Sequence, residues 1–234
     1  MDWALVRKLA ICCVAALGAF AAFRQGLIPP KYSPLPAIVF ENPYPILVDW
    51  QLRELGQDDA LCRGMLSSKH VTGKRIADRP IENGCGWTNA IRMSAVGGAR
   101  FPAARVNCGV AGGMALWMVN VVQPAAQKYF GQPVIAMRQM GVYNCRNIIG
   151  NSIWSRRRSQ HATANAVDVG AFRLKNGRQI VIRKAWKGQG KDARFLREIF
   201  EGACPFFRVA LSPNYNAAHH DHFHFDRGPF WRCR

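Results

Sequence analysis

The chain has 234 residues, 49% of them hydrophobic, and sets 32 Lys and Arg against 14 Asp and Glu, a formal charge of +18. That length allows one domain with an appendage or two small ones, and that apolar share excludes a disordered chain. The charge calls for a polyanionic neighbour, which nucleic acid, anionic lipid and bacterial cell-wall polymers all satisfy.

The elements follow in chain order. Arg7 and Lys8 precede a run that is apolar and uncharged from Leu9 to Phe23. A basic flank and such a run predict a signal peptide or signal anchor over residues 1–24, with 3–23 as the anchoring stretch. Ala19 to Ala21 offers a small-residue cleavage site. "LAIC" lacks the small residue that usually precedes a lipidated cysteine, so no lipoprotein is expected. Export predicts a periplasmic domain, either anchored to the inner membrane or released, and argues against nucleic acid as the partner. Six prolines between Arg24 and Pro45 predict an extended linker over residues 25–47. No second linker follows, so residues 48–234 read as one domain.

Within it, "DDALCRGMLSS" has an acidic helix start and helical spacing, and "TNAIRMSAV" reads as a strand. "NCGVAGGMALWMVNVVQPAAQKYFG" predicts a long apolar helix, interrupted near Pro124 and stopped at Gly131. "PVIAMRQM" is a short strand. "NAVDVGAFRL" and "RQIVIRKAW" flank "KNG", a hairpin signal. "DARFLREIFEGAC" is an amphipathic helix, and "FRVALS" and "HFHFD" are strands. Helices and strands are segregated, which predicts an α+β fold with a mostly antiparallel central sheet flanked by helices. Cys62, Cys85, Cys108, Cys145, Cys204 and Cys233 are too widely spaced for zinc knuckles. In an oxidising compartment they predict three disulfides, in any of about 15 pairings.

Four of the six histidines lie in "AHHDHFHFDRG". As a strand, this segment puts His222 and His224 on one face and Phe223 and Phe225 on the other. The aromatic face belongs in a core, and the imidazole face can then address a metal. A lone HxH is more often a polar strand face. "SQHATANAVDVGAF" adds His161 and Asp168, the latter on the face opposite Val167 and Val169. A buried acid there needs a partner, either one of many arginines or a zinc ion. His161, Asp168 and one histidine of the C-terminal strand would supply two imidazoles and a carboxylate, leaving a fourth position for water. Asp221 or Asp226 can orient an imidazole from behind. Arg156 to Arg158 read as solvated, His70 and His220 as surface or satisfied side chains. Arg146, beside Cys145 and near Tyr143, is the better candidate to hold a carboxylate or an oxyanion.

"SQHATANAVDV" and "HDHFHFD" resemble the paired signatures of the LAS metallopeptidases, the superfamily of lysostaphin-type enzymes, D-Ala-D-Ala carboxypeptidases and penicillin-insensitive murein endopeptidase. The region from Cys62 to Cys233 more closely resembles the bacterial extensin-like C-terminal domain family, through "GVYNCR", "FLREIFEGAC", "HHDHFHFD" and the final "CR". The resemblance implies a disulfide-stapled, LAS/Hedgehog-like metallopeptidase core. It implies His161, Asp168 and His224 as zinc ligands, His222 as the catalytic histidine and His219 as a further histidine of the site. One departure is Ala164, where the superfamily usually has glycine. The implied activity is an exported zinc peptidase that cleaves a stem-peptide or cross-link amide of peptidoglycan or acts on another anionic envelope polymer. It would contact the membrane through its N-terminal segment. The alternative is a zinc-bearing wall-binding or structural envelope protein without turnover. No Glu adjoins either motif, so an HExxH protease is not expected.

Overall fold

The computed structural model describes residues 2–24, 27, 32–33 and 35–234. Pro29, Pro30 and Pro34 of the predicted linker lie outside the described residues. The chain divides into two units, residues 1–36 and 37–234. The first contains helix α1 (Trp3–Arg24), whose stretch Trp3–Ala22 is long and apolar enough to cross a membrane.

The second unit begins within the proline-rich segment. Phe40 is buried, its carbonyl accepts from the Asn120 amide at 2.8 Å, and Ile38 packs on the core. Helices α2 (Val48–Leu55) and α3 (Asp59–Leu66) follow. Asp58 caps α3 by accepting from the Leu61 N–H at 2.8 Å. Strands β1 (Val71–Arg75), β2 (Arg79–Glu82), β3 (Cys85–Trp87), β4 (Ala90–Val96) and β5 (Ala99–Asn107) lead into α4 (Cys108–Trp117). The predicted long helix is continuous but not uniform. A π-helical turn, Met118–Val122, joins α4 to α5 (Gln123–Phe130). Pro124 has no N–H for the Asn120 carbonyl and its ring crowds that position, so the backbone widens instead of breaking. Gly131 closes α5 in the left-handed conformation, φ 62°.

Strand β6 (Val134–Gly141) leads through a long loop to β7 (Ala166–Leu174) and β8 (Gln179–Val181). The second arm of the predicted hairpin is shorter than expected. Residues Ile182–Ala185 form a helical turn, α6. Ile182 and Trp186 are both buried, and the helical turn stacks these residues, four apart, on one side. Helix α7 (Lys191–Glu201) and strands β9 (Val209–Leu211), β10 (Phe223–Asp226) and β11 (Arg232–Cys233) complete the unit.

Nine strands form one sheet in the order β1-β4-β5-β6-β7-β10-β9-β11, with β8 also on β7. Its ladders are antiparallel except β5–β6 and β9–β11. The architecture is thus α+β, a large and mostly antiparallel sheet with helices against it. Three disulfides link Cys62 to Cys108, Cys85 to Cys145 and Cys204 to Cys233. The apolar side of β7 and β10 holds the site in place. Phe225 stacks on Phe207 at 4.6 Å and meets Trp117 edge-on at 5.0 Å, while Phe223 lies 5.2 Å from Phe200. Trp117 donates from its indole to the Ile199 carbonyl at 2.7 Å, so even this buried polar group is satisfied.

Candidate metal centre

His161 sits on a 3-10 turn, Gln160–Thr163. Ala164 then takes a left-handed conformation, φ 54°, and turns the chain into β7. This is a position that favours glycine, yet the alanine adopts it fully buried. Asp168 follows on β7, and the antiparallel register sets His224 of β10 directly opposite it. Their partner residues Val167, Val169, Phe223 and Phe225 all face the core, as strand alternation requires.

Three side chains converge. His161 Nε2 lies 3.2 Å from Asp168 Oδ2, His224 Nδ1 lies 2.9 Å from Asp168 Oδ1, and the two ring nitrogens are 3.2 Å apart. His161 is 1% exposed, and the side chains of Asp168 and His224 are 9% exposed. The outer ring nitrogens are engaged elsewhere. His161 Nδ1 donates to the Val142 carbonyl at 2.5 Å, and His224 Nε2 donates to Asp226 Oδ2 at 3.0 Å. Asp226 is itself held, because its Oδ1 accepts from the Gly228 N–H at 2.7 Å. While its ring is neutral, each outer bond leaves the inner nitrogen with a lone pair aimed inward; a proton there makes that nitrogen a donor to Asp168 instead. Two lone pairs and a carboxylate facing one point repel unless a cation lies among them. A tetrahedral ion with bonds of about 2.0–2.1 Å spaces its donors about 3.3 Å apart, close to these separations. The donor set and its outer hydrogen bonds therefore fit a divalent metal.

The electrostatics agree. Burial would raise the Asp168 carboxyl, but hydrogen bonds from His161 and His224 hold it far below the usual carboxylate range. Burial would lower His224, but its bonds to Asp168 and Asp226 raise it to about 9 without a metal. A proton on His224 is then what a metal must displace.

His222 lies just ahead of β10. Its Nδ1 donates to Asp221 Oδ1 at 2.8 Å, and its Nε2 stands 3.6 Å from Asp168 Oδ1. The imidazole is thus oriented with its second nitrogen at the cluster. His219 joins from the 3-10 turn Ala217–His219, with its ring 5.4 Å from that of His222 and 5.5 Å from that of His224. Its Nδ1 donates to Asn216 Oδ1 at 2.6 Å. Burial first, then the charges of His224 and His222 with a smaller effect of Arg146, push His219 down to about 4. Arg146 is half-buried and makes a bond to the Asn147 carbonyl at 3.2 Å. Its own carbonyl accepts from the Ser159 N–H at 3.1 Å, and Asn144 donates to the His161 carbonyl at 3.1 Å, so this loop runs along the His161 turn. The Cys85–Cys145 disulfide anchors it to β3.

The remaining candidates stand apart. Arg158 ties Asn83 to Asn147, Arg157 lies over the Trp154 ring, and Arg156 is exposed. His220 is exposed, and His70 bonds Glu41 at 2.9 Å. Sequence reading missed three contributors. The Val142 carbonyl fixes the His161 ring, and no side-chain pattern reports a carbonyl. Asn216 fixes His219 and also donates to the Gly150 carbonyl at 3.0 Å. Gly141 lies opposite Asp168, and a Cβ there would stand 2.7 Å from Asp168 Oδ2.

The fold and these residues define an α+β domain built around a buried His–Asp–His cluster. Residues 60–234 match the family model described as Extensin-like protein C-terminus, a stretch that includes every residue of the cluster. The chain belongs to that family. No curated protein and no solved structure matches it.

Proposed function

We propose that the protein is an exported, zinc-dependent hydrolase that cleaves a stem-peptide or cross-link amide of peptidoglycan, with a LAS-like arrangement of site residues. The observation that carries this reading is the convergence of His161 Nε2, His224 Nδ1 and the Asp168 carboxylate within 2.9–3.2 Å, each ring held from behind. Those three residues would hold the zinc, which supplies Lewis acidity and acidifies water. His222 would accept a proton at Nε2, since Asp221 occupies its Nδ1, and return it to the leaving amine. His219, kept neutral by its lowered pKa, would hydrogen-bond the reacting group from the cluster's flank. Arg146 would take a substrate carboxylate at the edge. Three disulfides and an apolar N-terminal helix support a periplasmic site of action, with α1 as anchor or cleaved signal.

The test is incubation with purified sacculi, with and without chelator, followed by identification of the released muropeptides. Wild type should release them and lose that activity with chelator. His161→Ala should lose both zinc and activity. His222→Ala should keep zinc and lose activity. Zinc-loaded wild type that releases nothing would make the protein a wall-binding module instead.

A further inference from the structure

The buried aliphatic and aromatic side chains of β4, β5, β6 and β7 face the helices. The opposite side of the same strands carries Arg92, Arg100, Arg105, Arg138 and Arg173, joined by Lys74 of β1, and all six are exposed. The register sets them in rows. Lys74 is opposite Arg92, and Arg92 is opposite Arg105. Arg100 and Arg173 flank Ala136 from either side. Neighbouring strands lie about 4.8 Å apart, and like charges directly opposite one another destabilise a sheet. Among the described residues none of the six pairs with a carboxylate. The strands of the large sheet contain no acid other than Asp168 and Asp226, and both are committed to the metal cluster.

The basic face runs into that cluster. The Arg138 guanidinium lies 3.3 Å from where a Cβ of Gly170 would stand, and Met140 crowds the same point. Gly170 is two residues from Asp168, and Gly141, at the end of the Arg138 strand, faces the Asp168 carboxylate. Two glycines thus make room on the sheet for neighbouring side chains, Met140 and Arg138 over Gly170 and Asp168 over Gly141, so that the basic face adjoins the site.

We infer that this open sheet face binds an extended carboxylate-bearing polymer and leads it to the metal centre. The identity of the polymer, peptide stems with free carboxylates, rests on the proposed hydrolase reading; the binding itself uses none of the metal ligands. Five of the six cations are Arg, whose planar fork matches carboxylates in pairs. Anionic lipid and polyphosphate are the competing occupants, and the probes below separate them from a carboxylate polymer.

The probe is poly-L-glutamate, with binding to the full chain in non-ionic detergent followed by fluorescence anisotropy over a salt series. The triple variant Arg92→Gln/Arg105→Gln/Arg138→Gln should bind on the order of tenfold more weakly and with a shallower salt dependence. Its Tm should be unchanged or raised, because repulsion is relieved. A control triple on exposed cations elsewhere, Arg183→Gln/Lys184→Gln/Lys187→Gln, should lose less than about threefold. His161→Ala should bind as wild type does. On sacculi the sheet triple should raise KM and keep kcat. Equal losses in both triples would overturn the inference, since net charge alone would explain them. So would a sheet triple that loses affinity for phosphatidylglycerol vesicles or polyphosphate and not for poly-L-glutamate. Binding as expected without muropeptide release would overturn the hydrolase reading and leave the binding face standing.

Discussion

The two sides of β7 and β10 differ by one residue of register and by almost everything else. On one side Val167, Val169, Phe223 and Phe225 are fully buried among Trp117, Phe200 and Phe207. On the other, Asp168, His224 and Asp226 exchange short polar contacts. The apolar side fixes the strands, and the fixed strands bring donor atoms to within 3.2 Å without any side chain reaching for its place. A slip of one residue would exchange the two sides, so the core and the site enforce the same register.

That comparison can be broken at either side, and the largest effect is expected at the cluster. On the proposed zinc-hydrolase reading, Asp168→Asn should reduce bound zinc from about one per chain to almost none, and hydrolysis of sacculi by about 100-fold or more. Metal analysis and muropeptide release measure the two. On the core side, Phe225→Ala should cost about 3–5 kcal/mol of folding stability in urea, while the folded fraction keeps its zinc. If it weakens zinc binding as strongly as a change within the cluster, the two sides are not separable. Asp226→Asn removes the charge behind His224 and leaves one acceptor oxygen where His224 and the Gly228 N–H now use two, and it should weaken zinc about 10–100-fold in a competition titration.

Acidification probes the end of the same strand. Arg227 follows β10, and with Arg208 it binds Asp49 at 2.6–3.0 Å. Burial would raise Asp49, but the bonds and charges of the two arginines hold it below its ordinary value. Its contribution is therefore complete above the unfolded pKa of about 3.9 and is lost as pH falls through that value towards the folded one. Asp49→Asn should flatten the acid limb of the urea midpoint plotted against pH. The smallest effect concerns Ala164. Its left-handed φ costs an alanine about 1 kcal/mol, so Ala164→Gly should raise stability by up to about that amount and leave zinc binding unchanged.

Much of this molecule was legible in its sequence. Strands β4, β6, β7, β9 and β10 and helices α3, α4, α5 and α7 carry strong periodicity or end signals. The alternation in "DHFHFD" and "AVDVG" put aromatic and polar residues on the correct sides. Strand β5 was not read, because Pro102 and a run of alanines lack strand character. The β2–β3 hairpin had a signal in Asn83-Gly84, both at positive φ, but its flanking strands are too short and too polar to stand out. The face of six cations was invisible for another reason. Each Arg looks solvated in its own segment, and only strand pairing sets Lys74, Arg92 and Arg105 in a row.

The sequence by itself determined the residue types of the site, the face each one occupies and the number of disulfides, because those follow from local periodicity and from counting. Tertiary structure decided the rest. It chose one of the pairings open to six cysteines. It set His224 opposite Asp168 and left His222 at the edge, although both share a face in the sequence pattern. It brought the Val142 carbonyl, Asn216 and Gly141 to the site. These are decisions of register and chain crossing, and no local pattern encodes the partner that a strand or loop will meet.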